Sequence, residues 1–82
     1  DNMLLEIITP DKKVYSGQVK LVQLPGTKGI FEILNNHAPI ISTLSKGSIK
    51  VEQVDGQILS FEVDGGIVEN KENKIIVLAE SV

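Results

Sequence analysis

Apolar residues fall along this chain in short runs, and no segment sustains a 3.6-residue apolar period. Runs rich in Ile, Val and Leu alternate with Gly, Pro, Asn and Asp, which is the pattern of an all-β protein. The runs predict strands near Met3–Thr9, Val14–Leu24, Gly29–Leu34, Ile40–Leu44, Ser48–Val54, Ile58–Val63, Ile67–Glu69 and Lys74–Ala79. Between them stand Thr9-Pro10-Asp11, Pro25-Gly26-Thr27, Asn35-Asn36, Lys46-Gly47, Asp55-Gly56, Gly65-Gly66 and Asn70 to Asn73. Each group holds a residue that presets a turn dihedral or tolerates positive φ. Turn signals at this density point to a small two-sheet sandwich or flattened barrel.

One hairpin is specific enough to fix its register. Ile49 and Val51 alternate with Lys50 and Glu52, and Leu59, Phe61 and Val63 with Ser60 and Glu62. Opposed residues must share a face. A two-residue Asp55-Gly56 loop would oppose Val51 to Ser60 and mix the faces. A three-residue loop, Val54-Asp55-Gly56, opposes Val51 to Leu59 and Ile49 to Phe61, with Gly56 at the left-handed position of a bulged turn. The first and last strands are apolar on both parities (Leu4, Leu5, Ile7, Ile8; Ile75 to Ala79). Such strands are covered on both sides, either by a crossing of the two sheets or by a partner protein. Gly17, inside the second strand, predicts a bend that lets that strand serve both sheets.

Composition narrows the functional classes. The 82 residues fit one domain, 1–82, that would bury only roughly 60–65% of its unfolded surface. There is no cysteine, so neither a disulfide nor a thiolate metal site supports it. A net charge of −3, no arginine and eight scattered lysines argue against nucleic acid. No apolar run is long enough to span a bilayer, and no basic-then-apolar leader is present; direct membrane insertion is therefore not expected.

Candidate chemistry is thin. His37 is the only histidine, and no spacing selects Ser42, Ser45, Asp64 or Glu32 as its catalytic partner. One His without Cys makes a poor zinc site, so His37 reads as a loop residue bonding backbone. Asp64-Gly65-Gly66 lacks the lysine and helix of a phosphate loop, and the aspartates do not cluster for calcium. Asn70-Lys71-Glu72-Asn73 reads as a solvated hairpin tip. The expectation is a non-enzyme with no cofactor and no small-molecule substrate. One other class is open: small β-domains carry biotin or lipoate on a hairpin lysine, and Lys28 in Gly26-Thr27-Lys28-Gly29 is the candidate, although its neighbours are not the usual ones.

Several phrases become informative together. Ser16-Gly17, Leu24-Pro25-Gly26-Thr27-Lys28-Gly29, His37-Ala38-Pro39-Ile40-Ile41, Leu44-Ser45-Lys46-Gly47, Gly65-Gly66-Ile67-Val68-Glu69 and Val77-Leu78-Ala79-Glu80 occur in an order and spacing that resembles the epsilon subunit of F-type ATP synthases. The resemblance runs from about Leu4 to Glu80. It implies a ten-stranded amino-terminal β-sandwich at the foot of the central stalk, bound to the gamma subunit and the c-ring. It implies a non-catalytic role in coupling rotation to ATP synthesis. The implied location is the cytoplasmic face of a bacterial inner membrane, as a peripheral part of the complex.

Two departures from the family pattern stand out. Relatives usually carry a carboxy-terminal helical pair that restrains ATP hydrolysis, and this sequence stops where it would begin; the expectation is a coupling subunit without that brake. Where the family commonly reads Gly-Glu-Phe-Gly-Ile-Leu-Pro-Gly-His, this chain has Gly29-Ile30-Phe31-Glu32-Ile33-Leu34-Asn35-Asn36-His37. Ile30 takes an acidic place, and Asn35-Asn36 replaces Pro-Gly because Asn tolerates positive φ. The resemblance places the c-ring contact on Thr27, Lys28, Gly29, Ile30 and His37. It places the gamma contact on Ala38, Pro39, Ile40 and Ile41 with Gly65, Gly66, Ile67, Val68 and Glu69.

Overall fold

A computed structural model describes residues 2–82. It is all-β, with β1 Met3–Ile8, β2 Lys13–Gly26, β3 Gly29–Leu34, β4 Ile40–Gln53, β5 Ile58–Lys71 and β6 Lys74–Ala79. The expected eight runs, and the ten strands implied by the resemblance, resolve into six. Ile40–Leu44 joins Ser48–Val54, and Ile58–Val63 joins Ile67–Glu69, because the β4–β5 ladder keeps one register through Lys46-Gly47 and through Gly65-Gly66, whose two glycines hold positive φ (+116 and +151). β2, β4 and β5 are consequently 14 residues each, long enough to cross from one sheet to the other.

The strand order is β1-β6-β5-β4-β2-β3, and β1 also pairs with β2. That extra pairing closes one side of the sandwich. β1 runs antiparallel to the first half of β2 (Met3↔Val19 to Ile8↔Lys13) and parallel to β6 (Leu4↔Lys74 to Ile8↔Leu78). The second half of β2 pairs with β3 and β4 instead, so β2 serves both sheets as expected. Its irregularities lie between Lys13 and Tyr15, between Val19 and Leu21 and between Gln23 and Gly26, not at Gly17, which pairs regularly with Leu5. Gly17 has another cause: a Cβ there would stand 2.6 Å from the Tyr15 hydroxyl, which lies over it. Tyr15 stacks in a tilted pair with Phe61, centroids 5.4 Å apart, and donates to Gln53 Oε1 at 2.7 Å.

The β4–β5 hairpin has the expected register, Val51↔Leu59 and Ile49↔Phe61. Gly56 has φ +90, and its N–H donates to the Gln53 carbonyl at 2.9 Å. Inward residues of all six strands form one core. Met3, Leu5 and Ile7 of β1 and Ile75, Val77 and Ala79 of β6 meet Val22, Leu24, Ile33, Ile49 and Val51 from the opposite sheet. The other parity of β1 and β6 has no such cover: Leu4, Ile8 and Ile76 are half-buried and Leu78 is exposed. Crossing of the sheets therefore explains only one face of these two strands.

Candidate partner-binding surface

The Gly26↔Gly29 pair closes a two-residue loop, Thr27-Lys28, between β2 and β3. This loop leans on the first part of β4. The Thr27 N–H donates to the Thr43 carbonyl at 3.2 Å, and the two threonine hydroxyls are 2.9 Å apart. From that contact β3 and the start of β4 diverge, leaving an open cleft of about 550 Å³. Its walls include Ile30 and Phe31 on one side and Ile41, Thr43 and Ile67 on the other. Ile30 is 72% exposed and Ile41 68% exposed.

The cleft thus unites two sets that the sequence reading kept apart. Thr27, Lys28, Gly29 and Ile30, expected at the c-ring, share it with Ile41 and Ile67, expected at gamma. His37 does not join them. It follows β3 at the far end, roughly 17 Å along a six-residue strand, where its N–H donates to the Leu34 carbonyl at 3.1 Å. Its Nδ1 lies 2.8 Å from the Ala38 carbonyl. Ala38 and Pro39 are exposed, and Ile40 packs half-buried against the core. On β5, Val68 is fully buried and Gly65 is buried too, so neither offers a side-chain surface. The outward residues of that strand are Ile67 and Glu69.

Register extends the cleft's apolar wall across the sheet. Ile8, Leu78, Ile67 and Thr43 form one cross-strand row. Glu6, Ile76, Glu69 and Ile41 form the next. Adjacent members lie about 4.8 Å apart in the ladder direction. Both rows point away from the core, and the apolar members make a continuous outer stripe. Sequence reading saw the doubled parity of β1 and β6 but could not place Ile41 and Ile67 beside it.

The Asn70–Asn73 tip is not merely solvated. Asn70 is buried, and its Nδ2 donates to the carbonyls of His37 and Ala38, each at 3.3 Å. Asn36 and Asn73 both hold left-handed backbone, φ 66 and 61. The Asn36 N–H donates to Asn73 Oδ1 at 2.8 Å, and Asn73 Nδ2 donates back to Asn36 Oδ1 at 3.2 Å. The expected tolerance of positive φ at Asn36 is used, and its side chain also ties the β3–β4 loop to the β5–β6 hairpin.

The side chains of reactive type do not converge. Ser42 donates to the Thr43 carbonyl, and Ser48 to Glu62. No three His, Asp or Glu side chains group as metal ligands among the described residues. The Tyr15 hydroxyl is pushed above its ordinary pKa of 10.0, first by burial and then by the nearby Asp55 carboxylate; it is a packing group rather than a reactive one. No helix among the described residues is long and apolar enough to cross a membrane.

Comparison with known proteins gives one consistent result. The family model described as "ATP synthase, Delta/Epsilon chain, beta-sandwich domain" matches residues 2–82. An ATP synthase epsilon chain of Chlorobium limicola is 40% identical over 95% of this chain and 89% of its own length. That of Desulfatibacillum aliphaticivorans is 40% identical over 98% of this chain, which spans 57% of it. Among solved structures, a chain of the Euglena gracilis mitochondrial ATP synthase (OSCP/F1/c-ring) superposes with a TM-score of 0.91 at 17% identity, covering 98% of this chain and 51% of that one. A chain of the Tetrahymena thermophila mitochondrial central stalk/c-ring gives 0.76 at 19% identity, over 96% of this chain and 63% of that one. At those identities the structural matches show the fold alone.

Proposed function

The chain belongs to the ATP synthase delta/epsilon family, and on that premise we propose that it is the epsilon-type sandwich of a rotary ATP synthase's central stalk. It is non-catalytic, binds the gamma subunit and the c-ring, and couples rotation of the ring to ATP synthesis. Its place is peripheral, on the cytoplasmic face of a bacterial inner membrane. The sandwich alone carries the attachment, independent of any helical brake.

One observation carries this reading. A small domain with a complete core leaves Ile30, Ile41, Ile67 and Leu78 exposed on one cleft and the stripe that continues it. Exposed apolar surface of that continuity marks an interface. Ile30, where relatives have an acidic residue, makes the cleft's lip more apolar here.

Lys28 does occupy the hairpin tip that a carrier domain would need, but the family match supports a stalk role and gives the carrier reading nothing. Intact mass after expression checks this, since a biotinyl or lipoyl addition on Lys28 would reverse it. The main test is a pull-down with purified gamma and c-ring. Ile30→Asp and Ile41→Asp are expected to weaken binding while leaving the melting curve almost unchanged, because both side chains are exposed. Binding of the wild-type chain to neither partner would overturn the stalk assignment.

A further inference from the structure

The cleft is bounded by backbone as well as by side chains. β3 is the last strand of its sheet, and β2 is its sole neighbour among the described residues. A two-residue loop makes Gly26–Gly29 a hydrogen-bonded pair. In an antiparallel ladder such pairs alternate with non-bonded ones. Gly29, Phe31 and Ile33 therefore spend their N–H and C=O groups on β2. Ile30 and Glu32 point theirs the other way, toward the cleft. Pro25, which has no N–H to give, falls opposite Ile30 in a non-bonded pair, consistent with this phase.

The facing lip has the same character. The Thr43 carbonyl accepts from Thr27, so Thr43 and, two residues earlier, Ile41 turn their backbone groups away from β5. The N–H groups of Ile41 and Thr43 and the Ile41 carbonyl then face the cleft. The two strand edges thus border one open cleft of about 550 Å³.

We propose that this seam is a strand-addition site: an extended segment of the gamma subunit pairs with the free edge of β3 through the N–H and C=O of Ile30 and Glu32. Its inward side chains lie against Phe31, Ile41 and Ile67. The occupant is assigned from two features. An unpaired edge recognises extended backbone and little else, and the cleft is continuous with the Ile41–Ile67 surface given above to gamma. The inference rests on that stalk reading and adds the mode of recognition. It also explains why an uncovered edge between exposed isoleucines, normally an aggregation hazard, is kept.

Proline at position 32 tests it directly. Glu32→Pro removes an edge donor while sparing the β2 ladder, where proline is tolerated; Glu32→Ala keeps the donor and loses only the side chain. Both are measured for gamma binding and for melting temperature. The expectation is that E32P melts close to E32A yet binds gamma at least about tenfold more weakly. Amide hydrogen exchange on the wild-type complex answers independently of either variant's folding: Ile30 and Glu32 should exchange more slowly with gamma bound. If E32P binds as E32A does, or the two amides are unaffected in a formed complex, strand addition is overturned while the stalk reading stands. If wild-type chain does not bind gamma, the stalk reading fails and takes this inference with it.

Discussion

The two sides on which this sandwich meets itself are finished differently. On one, β1 bridges β2 and β6, and backbone hydrogen bonding passes from sheet to sheet. On the other, β3 and the start of β4 separate beyond the Thr27–Thr43 contact and leave their edges unpaired. Apolar residues serve both sides. On the closed side Met3, Leu5 and Ile7 are fully buried; on the open side Ile30 and Ile41 are largely bare. Closure goes where the core needs a wall. The open side retains pairing capacity that the isolated domain does not use, which is the surface the proposed gamma contact would take.

Glycine to alanine separates the sides most sharply. Gly66 sits where β5 passes β6, at φ +151, and a Cβ there would lie 2.3 Å from the Leu78 carbonyl. Neither strand can yield, because both wall the core. Gly66→Ala is expected to cost about 3 kcal/mol or more in urea unfolding. Gly29, at the open side, has φ +132, but no heavy atom within 4 Å of the added carbon. Gly29→Ala pays only for backbone strain, about 1 kcal/mol. Equal losses at the two sites would show that the sides do not differ in rigidity.

A middle-sized effect belongs to the asparagine pair that ties the loop ending the open side to a hairpin of the closed one. Asn73→Gly keeps the left-handed backbone and removes both side-chain bonds to Asn36, so its cost isolates the tie. About 1 kcal/mol is expected. A double-mutant cycle with Asn36→Gly should return a coupling of about 0.5 kcal/mol or more; strict additivity would mean that the two asparagines act separately.

These features differ in how far the sequence discloses them. The β4–β5 register was readable because two alternations and one glycine have to agree within sixteen residues. Lys46-Gly47 and Gly65-Gly66 read as turns, since local punctuation does not distinguish a bend within a strand from a break between strands. What keeps those stretches within strands is pairing between β4 and β5 themselves. Asn70 looked like a solvated tip because its acceptors, the His37 and Ala38 carbonyls, lie more than thirty positions away. The Asn36–Asn73 tie spans 37 positions and has no local signature. For the proposed binding surface, the family phrases named segments of which Thr27 to Ile30, Ile41 and Ile67 line one cleft, while strand parity sorts exposed Ile67 from buried Val68. That Ile30 and Ile41 face one another across an unpaired gap depends on β4 changing sheets, which no window of sequence reveals.

The smallest effect tests the closed side by pH. Tyr15 lies over Gly17 on β2, beside β1, with its hydroxyl on Gln53. Burial, with Asp55 nearby, raises its pKa above 10.0 in the folded protein. Below pH 10 the phenol is neutral in folded and unfolded chains alike, and its titration adds no pH dependence. Above pH 10 the unfolded chain releases this proton first, so the folded state binds more protons and loses stability as pH rises. The wild-type unfolding midpoint should therefore fall more steeply above pH 10 than that of Tyr15→Phe. Below pH 10 the two curves should stay a constant distance apart, set by the lost bond to Gln53. The difference between the curves isolates Tyr15 from the lysines, which titrate in both proteins. Parallel curves through pH 11 would mean that the ring is as free to ionise folded as unfolded, and that this end of the closed side is looser than its packing indicates.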